Sequence, residues 1–170
     1  MYCEIAVHDT TISQEYDDAV QGVDRGISTN VLFDVWLVSR AATAVIDAAV
    51  RAAGLTADEF AVYSVLRAGP LTPTELAEWM AAPLTTVSSY VKRFEARGHV
   101  ARAANPDDRR SYQLSLTAAG ARAHQDAGAR FLPILESVQA TLGRSSPAVQ
   151  RALKALRQAV LEARTHPTID

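Results

Sequence analysis

The residues best suited to chemistry lie close together in the middle of the chain. At 105–116, "NPDDRRSYQLSL" sets Asp107, Asp108, Arg109 and Arg110 on a turn and then alternates polar with apolar side chains. Just before it, "LTTVSSYVKRF" offers hydroxyls at Thr85, Thr86, Ser88 and Ser89, followed by Lys92 and Arg93. Short polar side chains approach base edges, and ammonium and guanidinium groups neutralise phosphates. His8, His99, His124 and His166 have no metal-ligand spacing and read as ordinary surface histidines, and no glycine-rich phosphate loop or Ser-His-Asp order stands out. Binding of a polyanion, not catalysis, is the chemistry on offer. No enzyme and no cofactor is expected.

The net charge of −2 at first argues against such a partner, but the charge is unevenly spread. Residues 1–34 carry seven acids against Arg25 alone, a net −6. Residues 85–113 carry six bases (Lys92, Arg93, Arg97, Arg102, Arg109, Arg110) against Glu95, Asp107 and Asp108, a net +3. Local sign matters more than the total for meeting a polyanion. One cysteine, Cys3, allows no internal disulfide and suits a reducing cytoplasm. No apolar run approaches the roughly 20 residues of a bilayer span, and the first residues lack the basic start of a secretory signal. A cytoplasmic location is expected.

The elements that must position these residues read as follows. Residues 1–28 form an acidic arm, flexible or with one weak helix over 13–21. A helix over 29–53 is apolar around almost its whole circumference, so it needs cover within the domain or from a second subunit; Gly54 stops it. Thr56-Ala-Asp-Glu59 is a capping box for a helix to about Arg67, and Thr72-Pro-Thr-Glu75 repeats the device for a short helix to about Met80. After the break at "AAPL" a helix runs over 84–97. "HVARAA" and "SYQLSL" are two strands, the second burying Tyr112, Leu114 and Leu116. Thr117 caps a long helix to about Leu142 that is expected to bend before Pro133. A last helix from Ser146 carries an apolar seam of Val149, Leu153, Leu156 and Val160.

Short helix, tight turn, helix and hairpin make a helix-turn-helix with a wing. At about 100° per residue, Val91 and Phe94 fall within about 40° of Val87 and form a buried stripe. Thr85, Ser89 and Lys92 fall on the opposite side, flanked by Thr86, Ser88 and Arg93. A merely solvated face usually carries long charged side chains, and this run of Thr and Ser is poor for helix propensity, a cost that makes sense if the surface meets something. At the wing tip, Arg109 and Arg110 suit a narrow, negative groove, and Asp108 is expected to hold one of them by a charge-assisted hydrogen bond. A turn-forming aspartate pair with incidental arginines is the alternative.

The stretch "LTPTELAEWMAAPLTTVSSYVKRFEARGHVARAANPDDRRSYQLSLTAAG" resembles the winged helix-turn-helix of the multiple-antibiotic-resistance regulator (MarR) family. Leu76-Ala77-Glu78, Thr86-Val87-Ser88 and "RFEARGHV" carry the likeness, with Asp108, Arg109 and Arg110 on the family's D-x-R signature. The resemblance implies a mostly α fold with a two-stranded β-wing, in which N- and C-terminal helices build a dimer. It also implies a homodimeric repressor of double-stranded, pseudo-palindromic operator DNA, released by a small aromatic or phenolic ligand. The chain departs from many members at Ser89, where they carry arginine, at Ala81, where they carry glycine, and in its longer acidic start.

The resulting organisation is an arm (1–28), a dimerisation helix (29–54), a DNA-binding lobe (55–117), dimerisation helices (118–165) and a tail (166–170). DNA contacts are expected from Thr85, Thr86, Ser88, Ser89, Lys92, Arg93, Asp108, Arg109 and Arg110. By the resemblance, Trp36, Arg40, Tyr63 and Phe131 line an effector crevice; otherwise the aromatics are core and Arg40 forms a structural ion pair. Two other classes stay open: a protein-interaction module of winged-helix type, and a redox sensor acting through Cys3.

Overall fold

The computed structural model describes residues 30–106, 108 and 110–165. The expected acidic arm, with its short helix, Cys3 and His8, lies outside the described residues, as do Arg109, His166 and the 166–170 tail. The chain divides into two compact units, 1–40 and 41–170.

Helix α1 (Val31–Val50) begins one residue after Asn30, whose side-chain oxygen accepts the main-chain N–H groups of Leu32 and Phe33, both at 3.1 Å. Asn30 is therefore its N-cap. Val50 is its one buried residue. In the first unit the helix leaves Val31, Leu32, Trp36 and Val38 more than half exposed. A single 3₁₀ turn, Arg51–Ala53, closes on Gly54 at φ +75°, the left-handed conformation that glycine adopts without penalty.

Both capping boxes form. Thr56 starts α2 (Ala57–Ala68) and Thr72 starts α3 (Pro73–Met80), each hydroxyl accepting the N–H three residues on while Glu59 or Glu75 returns a carboxylate. These bonds hold the Glu75 carboxyl below the usual carboxylate range. The turn after α3 passes through Ala81 at φ +51°, and α4 (Leu84–Ala96) follows. Strands β1 (Val100–Ala104) and β2 (Tyr112–Leu116) pair antiparallel, Val100 opposite Leu116 and Ala104 opposite Tyr112. Leu71 adds an isolated bridge to Leu114, bonded in both directions at 3.1 and 2.7 Å, so the α2–α3 linker fastens the wing to the lobe. Of the three β2 residues expected inside, only Leu114 is fully buried; Tyr112 and Leu116 are half-buried.

Thr117 caps α5 (Ala118–Leu142), and a 3₁₀ turn leads into α6 (Ser146–Thr165). Helix α5 runs unbroken through Pro133, whose missing N–H leaves the Ala129 carbonyl without its helical donor. At its start Gly120 lies against the His99 carbonyl so closely that a Cβ there would come within 2.1 Å of the oxygen. The core gathers Leu55, Val62, Tyr63, Leu76, Val87, Phe94 and Leu114 from α2, α3, α4, the wing and their linkers. Among the described residues no helix is long and apolar enough to cross a membrane.

Candidate nucleic-acid interface

Helix α4 is oriented by its apolar stripe. Val87, Val91 and Phe94 are buried, which turns Thr85, Thr86, Ser88, Ser89, Lys92 and Arg93 outward, all six exposed. The Ser89 hydroxyl donates to the Thr85 carbonyl at 3.0 Å, leaving its lone pairs to accept. Lys92 makes no ion pair among the described residues, so its ammonium is available to an incoming anion. Thr86, Ser89, Tyr90 and Arg93 frame a shallow concavity of about 490 Å³ on this face.

Tyr90 and Arg93 tie the helix to α2. The Tyr90 hydroxyl donates to Asp58 Oδ2 at 2.8 Å, and burial, then Asp58, pushes its pKa up. The Arg93 guanidinium sits 4.8 Å over the Tyr90 ring and 3.7 Å from Glu59 Oε1. Arg97 donates to Glu59 Oε2 at 3.0 Å, and that bond raises the Arg97 pKa. Glu59 is only 1% exposed. The sequence marks it as a cap; the fold also makes it the anion that faces Arg93 of α4 and Arg97 at its end.

The wing is fastened to the same helix. Arg102 on β1 reaches Glu95 on α4 through two hydrogen bonds, and its guanidinium lies 4.5 Å from the centre of the Tyr112 ring. The bond to Glu95 raises the Arg102 pKa. At the tip, Asp108 does not act as expected on Arg110. Its Oδ1 accepts the main-chain N–H of Arg110 at 3.0 Å, and its carbonyl accepts from Ser111, so the carboxylate shapes the turn through the backbone. The Arg110 side chain is exposed and makes no ion pair among the described residues. Asn105 closes the other side of the loop, its amide donating to Ser111 Oγ at 2.8 Å.

Helix α6 reaches the turn that precedes α4. Arg157 donates to the Trp79 carbonyl at 2.8 Å and Arg164 to the Ala81 carbonyl at 3.3 Å, cations placed on the unpaired carbonyls that end α3. A cavity of about 510 Å³ lies at this joint, lined among others by Thr74, Glu78, Leu84, Leu161 and Arg164.

None of the residues expected to hold an effector lines that cavity. Tyr63 is a core residue: it is fully buried, packs edge-on against Phe94 at 4.8 Å, and shares a hydrogen bond with His99 Nδ1 at 2.9 Å. Burial raises the pKa of its hydroxyl. Phe131 is half-buried against Phe60. Trp36 and Arg40 belong to the first unit, where Trp36 is exposed and stacks on Phe33. Two histidines read as ordinary surface groups are engaged instead. His99 meets Tyr63, and His124 stacks on Phe60 at 5.2 Å and shares a hydrogen bond with Ser64 at 3.0 Å. Among the described residues no His, Cys, Asp and Glu cluster fits a metal ion.

The family model described as MarR family matches residues 53–111, a span that holds α2, α3, α4 and β1 and ends just before β2. The transcriptional regulator MOSR of M. tuberculosis, solved in complex with DNA, is 27% identical with a TM-score of 0.69, over 80% of this chain and 99% of that one. Residues 53–111 thus match the winged helix-turn-helix of the MarR family. The match and the shared fold make this a DNA-binding transcription regulator with a winged helix-turn-helix. A cysteine-to-serine variant of E. coli MarR complexed with operator DNA shares the fold at 23% identity and a TM-score of 0.63, over 75% of this chain and 90% of that one. NadR in complex with 4-hydroxyphenylacetate shares it at 19% identity and a TM-score of 0.67, over 76% and 92%. A comparison with curated proteins finds no match.

Proposed function

We propose that this regulator is a cytoplasmic homodimeric repressor that binds a pseudo-palindromic operator and leaves it when a small aromatic ligand binds. In this reading Thr85, Thr86, Ser88, Ser89, Lys92 and Arg93 enter or flank the major groove, and Arg109 and Arg110 meet the neighbouring groove from the wing. Asp108 shapes the turn that presents them. The observation that carries the reading is the outward face of α4, small and hydroxyl-bearing, with Lys92 there and Arg110 at the wing tip both exposed and without an ion pair among the described residues.

A second copy accounts for apolar surface that a lone chain leaves in water. Trp36 and Val38 on α1 are 55% and 58% exposed, and Leu153 in the α6 seam is 49% exposed. Patches of this kind mark association surfaces. The dimerisation regions are proposed as 29–54 and 118–165, around a DNA-binding lobe of 55–117, with an arm (1–28) and a tail (166–170). Two lobes related by a two-fold axis read half-sites about 34 Å apart, one turn of duplex. The aromatic ligand is suggested by the NadR complex. Its release of DNA requires a difference in affinity for the two conformations of the dimer.

Selection from a pool of random duplexes tests the proposal. The expected outcome is enrichment of inverted half-sites one helical turn apart, with protection weakened by 4-hydroxyphenylacetate or a related aromatic acid. Enrichment of single, unrepeated sites contradicts the homodimer. Protection indifferent to every aromatic acid contradicts the ligand.

A further inference from the structure

We infer that Glu59 is a built-in brake on DNA affinity, holding Arg93 back from phosphate in the free protein. The inference rests on the proposed contact between α4 and duplex and assigns to that contact a residue from outside it.

The argument starts from the two oxygens of one carboxylate. Glu59 Oε2 is well supplied, accepting from the Thr56 main chain at 3.2 Å and from Arg97 at 3.0 Å. Oε1 is buried and has no hydrogen-bond partner among the described residues. Arg93 approaches it with Nε at 3.7 Å, too far for a hydrogen bond but close enough for an ion pair. A buried carboxylate oxygen without a donor is costly, and an approaching guanidinium relieves part of that cost.

Arg93 is placed to have two uses. Its side chain is 54% exposed while that of Glu59 is 2% exposed. It stands on the outward face of α4, between the buried stripe and Lys92, and leans over Tyr90 toward α2. A phosphate on that face and Oε1 beneath it compete for one guanidinium. When DNA takes Arg93, Glu59 keeps Arg97 alone, and the residual cost at Oε1 is charged against binding. Arg97 is not subject to the same competition, because its 3.0 Å hydrogen bond fixes it to the satisfied oxygen.

Glu59→Gln separates the two roles of the side chain. Glutamine still completes a capping box and can still accept from Arg97, but it removes the negative charge that retains Arg93. Four proteins are compared for binding to sheared mixed-sequence duplex DNA: wild type, Glu59→Gln, Arg93→Ala and the double variant. The expected result is about fivefold tighter binding for Glu59→Gln, the scale of a half-exposed ion pair. That gain disappears in the Arg93→Ala background. An unchanged affinity in Glu59→Gln, or an equal gain with and without Arg93, overturns the inference while leaving the DNA contact standing. Absence of salt-dependent binding by all four proteins removes the proposed contact and the brake with it.

A measurement on the wild type does not depend on the variants folding. The side-chain Nε–H resonance of Arg93 is expected to shift on saturation with the same duplex while that of Arg97 stays. An Arg93 resonance that does not move overturns the inference.

Discussion

Arg102 and Glu95 form a two-point joint between the wing and α4. Nε bonds Oε1 at 2.5 Å and one terminal nitrogen bonds Oε2 at 2.7 Å. Planar fork-to-fork pairing fixes orientation as well as distance, which a single lysine contact does not. The two side chains are 43% and 31% exposed, so solvent weakens the pair's contribution to stability. Arg102→Lys is therefore expected to cost under about 1 kcal/mol of stability while loosening the wing. Hydrogen exchange at the β1 and β2 amides and DNA affinity check this: both should change with little shift in the melting temperature. Unchanged exchange in the wing would detach the pair from wing orientation.

The turn of the helix-turn-helix holds Ala81 at φ +51°. An L-residue with a Cβ is strained there by about 1 kcal/mol, and glycine is not. Ala81→Gly is expected to raise the melting temperature by about 2 °C, the gain in the native state exceeding the extra freedom of the unfolded chain. A thermal melt decides it; a lower melting temperature would mean that the turn is not strained.

Gly120 gives the opposite sign. A methyl group there meets the His99 carbonyl oxygen, which is main chain and has no rotamer to move. Gly120→Ala forces α5 away from the α4–β1 connection, and overpacking of this kind costs about 1–3 kcal/mol. Denaturant titration should show the loss with an unchanged slope.

His124 makes stability depend on pH. Burial first, then the nearby Arg67 charge, hold its pKa below the usual imidazole value of about 6.5. The unfolded chain therefore binds the proton more readily than the folded one. This contribution is fully present above the unfolded pKa and is lost as the pH falls toward the lower folded value. His124→Phe keeps an aromatic ring against Phe60 and should flatten this part of the stability curve just below pH 6.5. If wild type and variant fall in parallel through that window, His124 is not the group responsible.

Much of this fold was legible because its signals are local. Each capping box spans four residues, and the stripe of Val87, Val91 and Phe94 repeats within two helical turns, so spacing alone places them. Contacts between distant residues were not legible. Glu59 meets Arg97 across 38 positions, Tyr63 meets His99 across 36, and Arg157 reaches Trp79 across 78. No local pattern marks such pairs, because each side chain alone looks like an ordinary cap, core aromatic or surface cation. The same limit applies to charge. The basic excess of residues 85–113 counts Arg93, Arg97 and Arg102, whereas the fold sets Glu59 against the first two and Glu95 against the third. Lys92 and Arg110 are the cations in the described part of that segment left to face a polyanion. Asp108 was read as a partner for the side chain of Arg109 or Arg110; toward Arg110 it caps the main-chain N–H instead, as an aspartate two residues before that group in a tight turn is placed to do, and Arg109 lies outside the described residues.

The account depends on Lys92 and Arg110 meeting the same duplex, and the salt dependence of binding tests this most directly. Mixed-sequence duplex DNA is titrated with wild type, Lys92→Ala and Arg110→Ala over a range of salt. Each substitution is expected to weaken binding and to reduce the slope of log affinity against log salt by about 0.9, one phosphate's worth of counterion release. Slopes that match the wild type in both variants would contradict the account.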